Sequence, residues 1–343
     1  MPAPSRTWRL ADFGPGILLA ATAVGAGDLL TASLAGSEAG LGVLWAVPAG
    51  ILLKWTLSEG IARWQMATGQ TLLEGWVSRL GRWIQWVFLV YLTLFSFVVG
   101  GALVSACGVA GTGFLQLGDP QTSKLIWGIA HSFAGLLLVR FGSFRLFEAL
   151  MSGCVGIMFV SVVLTAVLVS PDWGAVARGI VPSVPPGKTA WVLGVLGGIG
   201  GTMTLLSYGY WIREANRSGR EGLSACRRDL TLTYVFTGLF GMSVVIIGSR
   251  VQIQGQGVDL ALALAGQLAS VLGPPGRWIF LMGFWGAVFS SVLGVWQSLP
   301  YLFVDFLRMR GGWEPEGRSA APAPIGPGCW ASPPCRSSCC SPR

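Results

Sequence analysis

Apolar residues gather along this chain in runs of about 20 or more, divided by short loops rich in Gly, Pro and Arg. A helix needs roughly 20 such residues to cross a ~30 Å hydrocarbon core, so each run predicts a membrane span. Eight satisfy the pattern, near 14–40, 42–67, 83–117, 124–141, 146–170, 189–212, 229–250 and 277–307. The third is long enough to tilt or to extend beyond the bilayer. The first outlasts the apolar core of a signal peptide and is interrupted by Asp28, so it reads as a span and not as a cleaved leader. Between the last two lies "GVDLALALAGQLASVLG" (257–273), apolar but short, which predicts an amphipathic or re-entrant helix.

Composition narrows the class to a polytopic, all-α membrane protein. Hydrophobic residues make up 52% of the 343 positions and charged residues 11%, far below the ~25% of soluble domains. The net charge of +8 is spread between the apolar runs and not clustered with aromatics, which excludes a nucleic-acid partner. Its distribution orients the chain. With the N-terminus in the cytoplasm, the inner segments hold Arg6, Arg9, Arg79, Arg82, Arg140, Arg145, Arg213, Arg217, Arg220, Arg227, Arg228, Arg308 and Arg310, against Lys124, Arg178, Lys188, Arg250 and Arg277 outside. The Asn216-Arg217-Ser218 sequon falls on the inner side, where it carries no meaning. The expected place is the inner (plasma) membrane, in contact with the lipid bilayer and with no obligate protein partner.

The pattern ends abruptly. "RSAAPAPIGPGCWASPPCRSSCCSPR" (318–343) has no periodicity and a composition that GC-rich DNA yields out of frame; a native disordered tail and a cysteine-rich metal-binding tail are the other readings. Residues 1–310 are expected to form the transmembrane domain and 311–343 a non-native or disordered tail. No CxxC pair occurs, so neither a zinc site nor a redox motif is indicated. HExxH, G-x-S-x-G and a Rossmann fingerprint are absent, and "PSVPPGKT" (182–189) has Pro182 where a phosphate loop starts with Gly, so no enzyme is expected.

Two spans carry chemistry. The first holds Gly25-Ala26-Gly27-Asp28 near its middle, and an aspartate there costs roughly +2.5 to +3.5 kcal/mol on insertion scales, so it faces protein or water and has a task. The sixth, "GVLGGIGGTMTLLSYGYW" (194–211), has glycines at 194, 197, 198, 200 and 201. Broken first and sixth spans are what two inverted five-helix repeats produce, with freed carbonyls and helix ends lining a midplane site. Helix breaks are therefore expected at 25–28 and about 198–204. Close packing through small residues, including a Gly36 to Gly40 face, accounts for the glycines but leaves Asp28 unexplained.

These residues resemble the Nramp divalent-metal transporters. The likeness runs from "GPGILLAATAVGAGDLLTASLAGSEAGLGVLW" and "MATGQTLLEGW" through "RLFEALMSGCVGIMFV" and "PDWGAVARGIVPSVP" to "AVFSSVLGVWQSLPYLFVD", about residues 10 to 308. It implies a broken-helix 5+5 inverted-repeat (leucine-transporter-like) fold, with a first repeat at about 14–170 and an incomplete second at about 189–307. It further implies import of divalent cations of the Mn²⁺/Mg²⁺/Fe²⁺ class by alternating access, with no cofactor beyond the transported ion. Where the family has Asp-Pro-Gly-Asn, this chain has Gly25 to Asp28, and Thr202, Met203 and Thr204 stand near the family's Met-Pro-His. The site is expected to consist of Asp28, the carbonyl of Gly25, and the hydroxyls of Thr202 or Thr204. An oxygen set favours Mg²⁺ and Mn²⁺ over softer ions. Span three contains no Asp or Glu, which speaks against tight proton coupling.

Other polar residues modulate this picture. Lys54, mid-span in helix two, has two readings: it neutralises Asp28 and repels a cation, or it pairs with another carboxylate. Met203 would bring a soft ligand. Glu59 and Arg63, four apart, read as a structural pair. Glu38 and Glu148 lie near span ends, and Glu148 also matches a family carboxylate. His131, the one histidine, reads as a hydrogen-bonded bundle residue, with proton carriage as the alternative. Two rivals stand beside metal transport: an amino-acid or other organic-solute transporter of the same fold, and a non-transporting truncated relic. The ten-helix design needs two more spans than the eight found, and the chain as it stands is expected not to transport.

Overall fold

The structure, a computed structural model of the chain, describes residues 19–22, 24–201, 204–250 and 260–310. Among them it is helical, without strands. The first span has a short helical piece at 19–22 and, after a break, α1 (Ala26–Ala39), followed by a 3₁₀ turn at Gly40–Val43. Then come α2 (Ala46–Thr68), α3 (Leu72–Leu80), α4 (Trp83–Phe114), α5 (Pro120–Phe141), α6 (Phe144–Leu168) and α7 (Trp173–Gly179). The sixth span is divided into α8 (Thr189–Gly198) and α9 (Thr204–Glu214), after which run α10 (Gly219–Ser249), α11 (Leu260–Leu272) and α12 (Pro274–Arg310).

Every apolar run of the sequence is thus helical where described. Five helices, α4, α5, α6, α10 and α12, are long and apolar enough to cross a membrane individually, and the 27–43 and 46–68 pieces pass as a pair bent by 106°. The halves of spans one and six are too short to qualify alone, which follows from their being broken. Residues 311–343, expected to be a tail, lie outside the described residues.

Burial separates two sides of the bundle. α4 and α5 pack on each other and present Phe97, Val98, Leu125, Phe133 and Phe141 outwards, the side-chain chemistry a lipid solvent accepts. α10 and α12 are largely buried in their apolar windows and form the centre, α12 against α6 and α4, α10 against α1 and α2. α11 covers α12 with Ala261, Leu264, Ala265 and Leu268, an i, i+3, i+4, i+7 stripe that makes it an amphipathic cover helix.

Small residues set the closest crossings, as they do where lipid removes any hydrophobic drive between helices. A Cβ on Gly36 would stand 2.2 Å from the Val245 carbonyl oxygen, and one on Gly248 would stand 2.1 Å from that of Ser33, so α1 and α10 interlock reciprocally. The expected Gly36 to Gly40 face is half right as packing: Gly40 has φ +64° with open space about it and ends α1 instead. Near the C-terminal end of α1 the Trp45 amide donates to the Gly179 carbonyl at 2.9 Å, and Lys188 pairs with Glu38 at 2.9 Å. α3, which the apolar pattern passed over, is started by a capping box in which Thr71 and Glu74 exchange backbone and side-chain bonds.

Candidate functional site

The two breaks meet at one carboxylate. Helix α1 starts immediately after Gly25, so its first amides need acceptors, and Asp28 in the first turn turns back to supply one: Oδ2 accepts the Gly25 N–H at 3.0 Å. Oδ1 accepts the Gly200 N–H at 3.0 Å, from the break of span six. Asp28 is 8% exposed and buried between them. α1 also packs on α8, where Thr31 Cγ2 lies within 3.6 and 3.7 Å of where a Cβ on Gly194 or Gly198 would be.

The second break depends on two left-handed glycines. Gly200 has φ +86° and Gly201 φ +49°, conformations that cost an L side chain roughly 1–2 kcal/mol. They turn consecutive backbone groups to different partners. The Gly200 amide meets Asp28, while the Gly201 carbonyl accepts from Lys54 Nζ at 3.2 Å. Lys54 is 6% exposed, and its stem lies beside Gly200, whose added Cβ would be 3.5 Å from Lys54 Cδ. Asp28 and Lys54 form no direct ion pair; a glycine-glycine link connects them. Span eight closes the other side of the first break. A Cβ on Gly25 would come within 2.6 Å of Ser291 Oγ, and Ser290 Oγ donates to the Ala21 carbonyl at 2.9 Å.

Several expectations need correction. The first break lies at Val24 and Gly25, not at 25–28: Asp28 caps the new helix and so belongs to its first turn. The Gly25 carbonyl is not a freed oxygen, because it accepts the Leu29 N–H at 3.1 Å, the opening bond of α1. Thr202 and Met203 lie outside the described residues. Thr204 starts α9, buried, and its hydroxyl has no hydrogen-bond partner among the described residues. Lys54 takes a backbone carbonyl and not a second carboxylate.

The remaining candidates sit elsewhere. The His131 ring bridges α5 and α12: Nε2 accepts the Trp285 indole N–H at 3.0 Å, which leaves Nδ1 to donate to the Trp127 carbonyl at 2.7 Å. Glu148 is half-buried in the second turn of α6, with no bonded partner among the described residues. Glu59 holds Arg63 at 2.9 Å and also Arg227 of α10 at 2.7 Å. No group of three or more His, Cys, Asp or Glu side chains gathers among the described residues. Any ion taken here would be held by one carboxylate and neutral oxygens. The functional groups that residue types did not disclose are backbone: the Gly200 amide and the Gly201 carbonyl, foreshadowed only by the doubled glycine.

Comparison with known proteins fits this geometry. A family model described as natural resistance-associated macrophage protein-like (Nramp) matches residues 16–322. An uncharacterised protein of Pasteurella multocida (strain Pm70) is 24% identical over 322 residues, covering 89% of this chain and 68% of its own length. The divalent metal cation transporter MntH of Chromohalobacter salexigens is 24% identical over 318 residues, 82% of this chain and 72% of its own. A crystal structure of a mutant Eremococcus coleocola manganese transporter superposes with a TM-score of 0.69 at 18% identity, over 93% of this chain and 69% of that one. The same transporter bound to an aromatic bis-isothiourea compound gives 0.68 at 18% identity, over 95% and 70%. At that identity the likeness shows a shared fold.

Proposed function

The chain belongs to the natural resistance-associated macrophage protein-like (Nramp) family, and on that footing we propose that it carries divalent metal cations across the membrane at the meeting of its two broken spans. It is a multi-pass membrane protein and not an enzyme. The observation that carries the reading is the single buried carboxylate, Asp28, bonded at 3.0 Å to the backbone of both breaks. A cation entering there gains a charged oxygen without a new acid having to be desolvated, and the unpartnered Thr204 hydroxyl supports a neutral donor in the next half-helix. The names of the relatives, a divalent metal cation transporter and a manganese transporter, support the same cargo class.

The ligand set favours Mn²⁺ and Mg²⁺ over Cd²⁺, since oxygen donors suit the harder ions. Exchange between the two sides proceeds by alternating access, the half-helices shifting about the breaks. We read it as uncoupled from protons: α4 has no Asp or Glu, and both ring nitrogens of His131 are engaged. The excess of arginines on the inner segments supports an N-terminus in the cytoplasm and residence in the inner membrane.

The test is Mn²⁺ binding by the purified chain, with uptake into proteoliposomes as the second readout. Asp28→Ala should abolish both while the protein still melts cooperatively, and Mn²⁺ or Mg²⁺ should outcompete Cd²⁺. A strong Cd²⁺ preference would refute the oxygen site. One observation favours a second reading. Lys54 beside Asp28 presents both charges that a zwitterionic amino acid requires, and amino-acid uptake without any metal binding would decide for that cargo.

A further inference from the structure

Lys54 stands in the one place where a metal site least needs a cation. It comes from the middle of α2, is buried, and ends on the Gly201 carbonyl at 3.2 Å. That carbonyl is the kind of oxygen a broken span frees for an ion. The same glycine pair delivers the Gly200 amide to Asp28 at 3.0 Å, so the two charges are coupled through two residues of backbone.

Among the described residues the surroundings offer nothing else to balance either charge. From α1 the site receives Asp28. From α10 it receives Tyr234 and Thr237, whose side chains stand 3.7 Å from a Cβ built on Gly200, and the Tyr234 hydroxyl is bonded to Ser58 at 2.7 Å. α8 carries no ionisable side chain, and the first turn of α9 supplies hydroxyls, those of Thr204 and Ser207, and no charge. Glu59, the next acid along α2, is held by Arg63 and Arg227. Asp28 at minus one and Lys54 at plus one therefore make an empty site of zero net charge. A divalent ion added beside an unmoved lysine leaves an excess of two positive charges in a low-dielectric interior, which is strongly unfavourable.

We propose that Lys54 is a tethered cation that holds the cargo's place: its ammonium occupies the Gly201 carbonyl and balances Asp28, and a divalent ion binds by displacing it. The proposal rests on the reading of Asp28 as the cargo's charged ligand. Displacement is mechanically simple, because the ammonium is a point charge on a flexible four-carbon stem and has one backbone bond to give up. Its consequence is weak, readily reversed binding, with the site kept neutral between cargoes.

The experiment is calorimetric titration of Mn²⁺ into the purified full chain, for the wild type, Lys54→Met, Lys54→Gln, Lys54→Arg and the double variant Lys54→Met with Asp28→Asn. Melting curves are taken alongside to confirm folding. Methionine keeps the stem's bulk without the charge, and glutamine keeps a donor for Gly201 should methionine fail to fold. Both should tighten Mn²⁺ binding by about tenfold or more, while arginine leaves it at the wild-type level and the double variant loses it. If the wild type binds Mn²⁺ through Asp28 but the folded Met and Gln variants bind it no more tightly, the tethered-cation proposal is overturned and the metal site stands. A gain that survives Asp28→Asn overturns the proposal too. Absence of Mn²⁺ binding from every folded variant removes both.

Discussion

The centre of the bundle and one of its rims handle charge in opposite ways. At the rim, side chain meets side chain: Glu74 is bonded by Arg213, Asp229 by Arg217 at 2.8 Å, Asp305 by the Tyr210 hydroxyl at 2.5 Å and Glu214 by that of Tyr301 at 3.1 Å. These contacts bring α3, α9, α10 and α12 together where the chain leaves the membrane. At the centre, among the described residues, Asp28 has only backbone amides and Lys54 only a backbone carbonyl. The rim is satisfied by partners that fit it for good, and it serves shape. The centre is satisfied by single backbone groups from the two breaks, and the proposed cation site rests on that arrangement.

The sharpest way to break the contrast is to remove the central charge. Asp28→Asn should reduce Mn²⁺ binding and uptake to background while the melting temperature changes little, a complete functional loss with a small structural one. Next in size, Arg217→Ala should do the reverse. Asp229 is 1% exposed and would lose its guanidinium partner, a buried-pair loss of up to about 3–5 kcal/mol, visible as a large drop in the melting midpoint with residual binding intact per folded molecule. Gly200→Ala tests the backbone link itself: strain of roughly 1–2 kcal/mol at φ +86° and a misdirected amide should weaken Mn²⁺ binding more than they lower stability. The smallest effect belongs to the outer surface pair. Lys188→Ala should cost no more than about 1 kcal/mol, because Glu38 and Lys188 are half in solvent, and an uptake assay should not register it.

The chain's apolar runs made the helices legible, and its doubled glycines made the breaks legible to within a few residues. The first break falls earlier than the expected 25–28 because glycine followed three residues later by an acid describes a helix start, with the acid capping it. The Glu59 to Arg63 pair was readable as an i, i+4 contact, whereas Glu59 with Arg227 spans 168 residues and Glu74 with Arg213 spans 139, separations at which no local pattern exists. Lys54 was visible as an anomaly in an apolar helix. Its partner was not, since a backbone carbonyl has no signature in side-chain letters and its direction is set only when α2 docks on the left-handed glycines.

The reciprocal contact of Gly36 with the Val245 carbonyl and of Gly248 with the Ser33 carbonyl bears on motion. Two rods pressed together at the depth of their backbones can neither roll nor slide without collision, so α1 and α10 travel as one piece. Asp28, at the head of α1, is therefore stationary with respect to span seven. The Gly200–Gly201 peptide and the lysine that rests on it reach that carboxylate from outside the locked pair, through a single hydrogen bond to Gly200.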